Sequence, residues 1–170
     1  MALILPVKDK TPTIGEKCFI AENATIVGDV VIGDRCSIWF NAVLRGDVHY
    51  IRLGNNVNIQ DNAVVHCTYQ KSPTNIGNNV SVAHGAILHG CTVHDNVLIG
   101  MNAVVLDDAV IESNSIIAAG AVVTKGTVVK SGSVYAGSPA KKIKDLSPEL
   151  LKDEIERIAG NYNMYASWYK

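Results

Sequence analysis

Aliphatic residues return every six positions along most of the chain. From Ile14 the step runs through Ile20, Ile26, Ile32 and Ile38 to Leu44. After an interruption of three residues it resumes at Leu53, Ile59 and Val65, and after one of five at Ile76, Val82 and Leu88. One residue is missing before Val93, and Ile99, Val105, Ile111, Ile117, Val123, Val129 and Tyr135 complete the series. Of these 20 positions only Tyr135 is not Ile, Leu or Val. A small residue follows four places on, as at Cys18, Ala24, Cys36 and Ala42. Glycine often follows directly, as at Gly15, Gly33, Gly54, Gly77 and Gly100.

A helix repeats near 3.6 and a strand near 2, so neither alone sustains a period of six. A short strand plus a turn does, and a hexapeptide period predicts an all-β fold, the parallel β-helix. Three units close one coil, so residues three units apart stack on adjacent coils, and the 20 units make about seven coils. The aliphatic residues then form one inward column, each worth about 1.5–3 kcal/mol when fully buried. The interruptions, near Gly46–Arg52 and Cys67–Asn75, must leave the prism as loops, and loops at such corners commonly carry function.

The repeat ends near Tyr135, which divides the chain into a β-helix domain over 1–140 and an exit segment with a helix over 141–170. Ser147-Pro148-Glu149 supplies an N-cap, a proline at the first helical position and an early acid for the helix dipole. Leu150, Leu151, Ile155 and Ile158 share one helical face, which predicts a helix over roughly 148–168. It packs on the coils or on a neighbouring subunit, because an open β-helix leaves edges that must be covered.

A net charge of −1 gives no basic footprint for nucleic acid. No apolar run is long enough to span a membrane, and the first residues lack a charged-then-apolar leader pattern, so the cytoplasm is the expected compartment. The four cysteines do not have zinc-ribbon spacing. Cys18 and Cys36 stack on adjacent coils and read as buried thiols rather than a disulfide.

Candidate chemistry sits on the histidines. His66 follows Val65 and His89 follows Leu88, and the two are separated by one coil plus the second interruption. Their imidazoles should stack at one corner, about 4.8 Å apart at the backbone. That spacing suits two ligands of one metal. His84 is two places after Val82 and belongs to the preceding face, so it reaches such a site only from a neighbouring copy around a threefold axis. Three imidazoles with an open position form the pattern of a catalytic zinc site. Arg45 and Asp47 flank Gly46 in the first interruption, where an ion pair could fix a subunit interface. Asn58 and Gln60 precede the coil of His66, and Gln60 could orient a bound water or substrate.

These residues carry a resemblance. Asn41–Asp47 (NAVLRGD), Asn58–His66 (NIQDNAVVH) and His84–Val93 (HGAILHGCTV) resemble the γ-class carbonic anhydrase-like proteins of the bacterial hexapeptide-repeat superfamily. Leu98–Ala103 and Ala136–Ala140 add to the likeness. The resemblance implies a left-handed β-helix, a homotrimer, and metal sites between subunits with His66 and His89 from one chain and His84 from the next. It implies Zn2+, with Fe2+ or Co2+ able to serve, and CO2 and bicarbonate as substrates of a metal hydroxide, or a related metal-hydroxide hydrolysis, such as that of a thioester, at the same site. By the same likeness Arg45 and Asp47 are interface residues, Asn58 and Gln60 are active-site polar groups, and Tyr162 lines the site. One departure stands out: the archetype's acidic loop residues are missing, since Val48 follows Asp47 and Cys67–Asn75 contains no carboxylate. Two other functions fit the repeat: an acyltransferase using an acyl-CoA donor, and a non-catalytic metal-containing scaffold.

Overall fold

A computed structural model describes residues 1–169; Lys170, the last position of the expected C-terminal segment, lies outside the described residues. The chain winds as a parallel β-helix of about seven coils and closes with one C-terminal helix. Its prism has three faces. The first carries Val64–His66, Ile87–His89, Val104–Val105 and Val122–Val123, paired in parallel. The second carries Thr74–Ile76, Thr92–Val93, Val110–Ile111 and Val128–Val129. The third carries Phe19–Ile20, Ser37–Ile38, Asn58–Ile59, Ser81–Val82, Val97–Ile99, Ser115–Ile117 and Ser133–Ala136. Two longer strands, Thr25–Ile32 and Val43–Leu53, run through the corner between the first and second faces.

The six-residue column is the core. Ile26, Ile32, Ile38, Leu44, Ile59, Leu88, Ile99, Ile111 and Ile117 are each no more than 2% exposed. At the ends of the series, Ile14, Ile20 and Tyr135 are only partly buried. The small residues four places on sit at the corners and are also buried, as at Ala24, Ala42 and Ala63.

The glycines that follow the aliphatic positions stack where no side chain fits. A Cβ on Gly33 would lie 2.5 Å from the Gly54 carbonyl oxygen. The next corner is turned by residues with positive φ, and there Asn56, Asn79, Asn96 and Asn114 form a hydrogen-bonded ladder down the prism. Asparagine tolerates the left-handed region better than most residues, and each side-chain amide here also bonds to that of an adjacent coil.

Three features depart from the expectations. The first interruption does not leave the prism as a loop. Val43–Leu53 stays continuous, and Asp47–Tyr50 bulge opposite the single residue Asp29, because Gly28 pairs with Gly46 and Val30 with Ile51. Arg52 fastens the bulge through an ion pair to Asp29 at 2.7 Å. The exit segment contains a strand, Lys141–Asp145, antiparallel to Ser133–Ala136. An extra strand, Leu3–Leu5, pairs with Thr25–Val27 ahead of the first repeat position. The second interruption does project, closed on itself by an antiparallel bridge between Thr68 and Ser72.

The helix begins at Pro148, and Ser147 caps it by accepting from the Leu150 N–H. Its middle, Leu151–Glu156, is π-helical, and Arg157–Ser167 is α-helical. It lies along the third face. There Tyr162 meets Trp39 edge-on at 5.2 Å between ring centroids, and the Asn163 amide donates to Asn56. None of the helices of the described residues is long and apolar enough to cross a membrane.

Candidate metal centre

His66 and His89 are register partners on the first face. The backbone ladder therefore sets their separation. His66 Nδ1 lies 3.2 Å from His89 Nε2. The opposite nitrogens face carboxylates: His66 Nε2 is 3.2 Å from Asp47 Oδ1, and His89 Nδ1 is 3.0 Å from Asp107 Oδ1. A carboxylate only accepts, so each contact takes the N–H of its imidazole. The two nitrogens that face each other then both present lone pairs. That arrangement is repulsive unless a proton or a cation lies between them. A tetrahedral zinc with bonds of about 2.0–2.1 Å holds neighbouring nitrogens about 3.3–3.4 Å apart, so the pair fits such an ion.

Burial pushes His66 below the usual imidazole range, against a partial opposing effect of the Asp47 hydrogen bond. A neutral imidazole is the metal-binding form. Asp47 is itself pushed up by its burial, but hydrogen bonds from Arg45 and His66 outweigh that and hold its carboxyl low. Arg45 and Asp47 meet at 2.6 Å within one chain. Asp47 thus links the bulge to the first imidazole.

His84 lies apart from this pair, at the corner after Ser81–Val82. Its Nδ1 is 2.9 Å from Asp61 Oδ2, and its Nε2 is 3.2 Å from the Tyr162 hydroxyl. By the same reasoning Nε2 carries a lone pair, which here accepts from the tyrosine. The His84 side chain is 47% exposed, against 16% for His66. Among the described residues no single-chain cluster gathers three metal-binding side chains. Burial, helped by Asp61, pushes the Tyr162 phenol up to about 12. Gln60 and Asn58 are buried on the third face, on the His84 side rather than beside His66 and His89 of the same chain. Gln60 Nε2 donates to Asn58 Oδ1 at 2.9 Å, and Asn58 Nδ2 donates to Ser81 Oγ at 2.8 Å.

The sequence reading overlooked Asp61 and Asp107. Both obey the coil arithmetic that located the histidines: Asp107 lies one coil beyond His89, and Asp61 lies one coil plus the second interruption before His84. Asp107 and Asp108 also anchor the projecting loop through Thr68 Oγ1 and Ser72 Oγ, at 2.9 and 2.7 Å. The loop lacks acids of its own, and the coil below supplies them. His49 lines a different cleft with Asp29, Tyr50 and Lys10, and its Nδ1 accepts from the Tyr50 N–H. All four cysteines are free thiols.

Coils of hexapeptides with paired histidines on one face define a class, and comparison with known proteins agrees. Residues 11–46 and 90–125 match the family described as bacterial transferase hexapeptide (six repeats). The chain belongs to the γ-carbonic anhydrase-like branch of the hexapeptide-repeat proteins. It is 43% identical to a carbonic anhydrase of Geobacillus kaustophilus, over 99% of this chain and 91% of that protein. It is 38% identical to protein YrdA of Escherichia coli, over 98% of this chain and 91% of that protein. Among solved structures, a hexapeptide transferase family protein from Anaplasma phagocytophilum superposes with a TM-score of 0.94 at 42% identity, covering 99% of this chain and 98% of that one.

Proposed function

We propose that the protein is a trimeric metalloenzyme that hydrates CO2 to bicarbonate, with each metal held by His66 and His89 of one subunit and His84 of the next. The observation that carries the reading is the pattern shared by the three imidazoles. Each has one nitrogen on its own carboxylate, Asp47, Asp61 or Asp107, and the other presents a lone pair. Carboxylates in that position fix the tautomer and raise ligand basicity. A zinc ion held there would lower the pKa of a water to about 7 and so make a nucleophile for CO2 available at neutral pH.

The remaining work falls to residues of this chain. Asp47 and Asp107 orient the two imidazoles of one subunit. Asp61 holds the Nδ1–H of the half-exposed His84, and the Tyr162 hydroxyl, which donates to Nε2 in the single chain, would release that nitrogen when it meets a neighbour's metal. Gln60, fixed by Asn58 and Ser81, lines the cavity beside His84 and is placed to orient substrate or water. The likeness to a carbonic anhydrase over nearly the whole chain supports the same activity. The transferase names of the family and of the Anaplasma relative follow the prism. An acyl-CoA transferase needs no three imidazoles each backed by an acid.

Metal content and oligomeric size test the proposal together. Purified protein should run as a trimer in solution and carry one metal per subunit. A monomer with full metal would sink the shared site. His89→Ala should lose the metal while a thermal melt still shows a folded β-helix, because the residue lies outside the inward column. Full metal retention by that variant would remove His89 from the ligand set.

A further inference from the structure

CO2 does not account for the cavity beside His84. Between the helix and the third face lies a space of about 390 Å³. One end is lined by Gln60, His84 and Tyr162. The space then runs past Leu98 and Ile158 to Ile116. It crosses four successive strands of the third face, a length of about 14 Å at the strand spacing. A water molecule claims roughly 30 Å³ of liquid and a methylene about as much, so the cavity exceeds CO2 several-fold and falls in the range of small-ligand pockets. Its polar groups are concentrated at the His84 end, apart from Glu154 and Arg157 on the helix, which pair with each other at 3.6 Å. The helix turn above it is π-helical over Leu151–Glu156. Such wider turns in helices frequently mark functional sites.

We infer that this cavity holds the acyl chain of a second substrate class, a carboxylic ester or thioester of medium chain length, and that the histidine site hydrolyses it. The inference rests on the metal site proposed above. With the alkyl chain along Leu98, Ile116 and Ile158, the carbonyl lies at the His84 end, beside Gln60 and Tyr162. Water from the histidine site adds to the carbonyl carbon, and the bond from that carbon to the alcohol oxygen or thiol sulfur breaks. The leaving group departs with a proton, and the acid is released as carboxylate with one further proton. No oxidant or second cofactor is needed.

The test uses the metal-loaded trimer and p-nitrophenyl esters from acetate to octanoate, with an acyl-thioester series as a second arm. Each methylene that enters the cavity should raise kcat/KM about fourfold until the space is full. Ile116→Trp, which fills the cavity from the outer surface of the prism, should abolish that rise while metal content, CO2 hydration and acetate turnover stay at the wild-type level. Leu98→Trp provides a second variant if the first folds poorly. Sodium octanoate, titrated by NMR, should bind the wild type saturably and Ile116→Trp at least tenfold more weakly. A rise confined to one series would identify that leaving group as the substrate class. A flat profile in both series with CO2 hydration intact, or octanoate that does not bind, would overturn the acyl site and leave the metal site standing. Absent metal and absent CO2 hydration, with octanoate still binding, would overturn the metal reading and with it the hydrolysis.

Discussion

At the scale of single residues the carboxylates behind the imidazoles make the sharpest prediction. Asp107→Asn keeps the size of the side chain but gives an amide that can offer its N–H to His89, which no longer fixes the tautomer. Metal affinity should fall about 10- to 100-fold, as for comparable partners of metal-bound histidines, with the melting temperature of the metal-free protein little changed. Competition with a chelator measures it, and unchanged affinity would make Asp107 only an anchor for the loop at Thr68. The histidine pair itself was legible from spacing alone, since the two lie one coil plus the second interruption apart. Asp61 and Asp107 were equally legible by that arithmetic, but lone acids on a surface carry no signal until the histidines they face are known. A second residue-level prediction concerns Cys18. The neighbouring, more deeply buried Cys36 thiol is the main cause that brings the Cys18 thiol down to about 7, while the Cys36 thiol is pushed up by the same neighbour and by burial. Alkylation by iodoacetamide should therefore rise with pH through a midpoint near 7 at Cys18. Cys36→Ala should move that midpoint upward; an unmoved midpoint would show that the neighbour is not the cause.

At the scale of elements the repeat announced its own strands, because each inward aliphatic and each corner glycine sits where stacking demands it. The helix start was equally plain. Ser147→Ala should cost about 1 kcal/mol through loss of the bond to the Leu150 N–H, read as a lowered melt or as faster exchange of the first-turn amides. Neither change would mean that the cap is dispensable because packing on the third face holds the helix. Other elements were hidden for physical reasons. Lys141–Asp145 is exposed throughout and joins the sheet through its backbone alone, so no alternation of side chains announces it. The π-helical turn has the same residue types as an α-helix, and packing chooses between them. The ladder of Asn56, Asn79, Asn96 and Asn114 was visible as a spacing, but it means something only once those positions are known to have positive φ.

At the scale of the whole molecule the prism is a rod whose three candidate ligands lie on different faces, so the proposed chemistry requires assembly. The first face shows an outward aliphatic stripe, Val43, Val64, Ile87, Val104 and Val122, beside the histidine pair. Ile87 is 37% exposed in the single chain. A trimer that brings His84 to a neighbour's His66 and His89 would cover such a stripe. The same scale governs proton export. Val48 follows Asp47, the projecting loop has no acid, and Asp47, Asp61 and Asp107 are each engaged with a histidine. CO2 hydration should therefore accelerate strongly as imidazole buffer is raised at constant pH. A fast rate independent of buffer would show that another group of the protein carries the proton.

The register pairing of His66 with His89 has an architectural consequence. The distance between the two histidines is a rung spacing, about 4.8 Å, and side-chain reach only trims it. One extra coil grafted beyond Ile111 would lengthen the rod by that amount and leave both imidazoles and Asp107 in place. The same coil grafted between the two histidines would part them by about 9.6 Å, too far for one ion to bridge. Because the helix returns along the third face from the far end, the first graft would also slide Tyr162 one rung away from His84. Length alone can thus uncouple Tyr162 from His84 without substituting either residue.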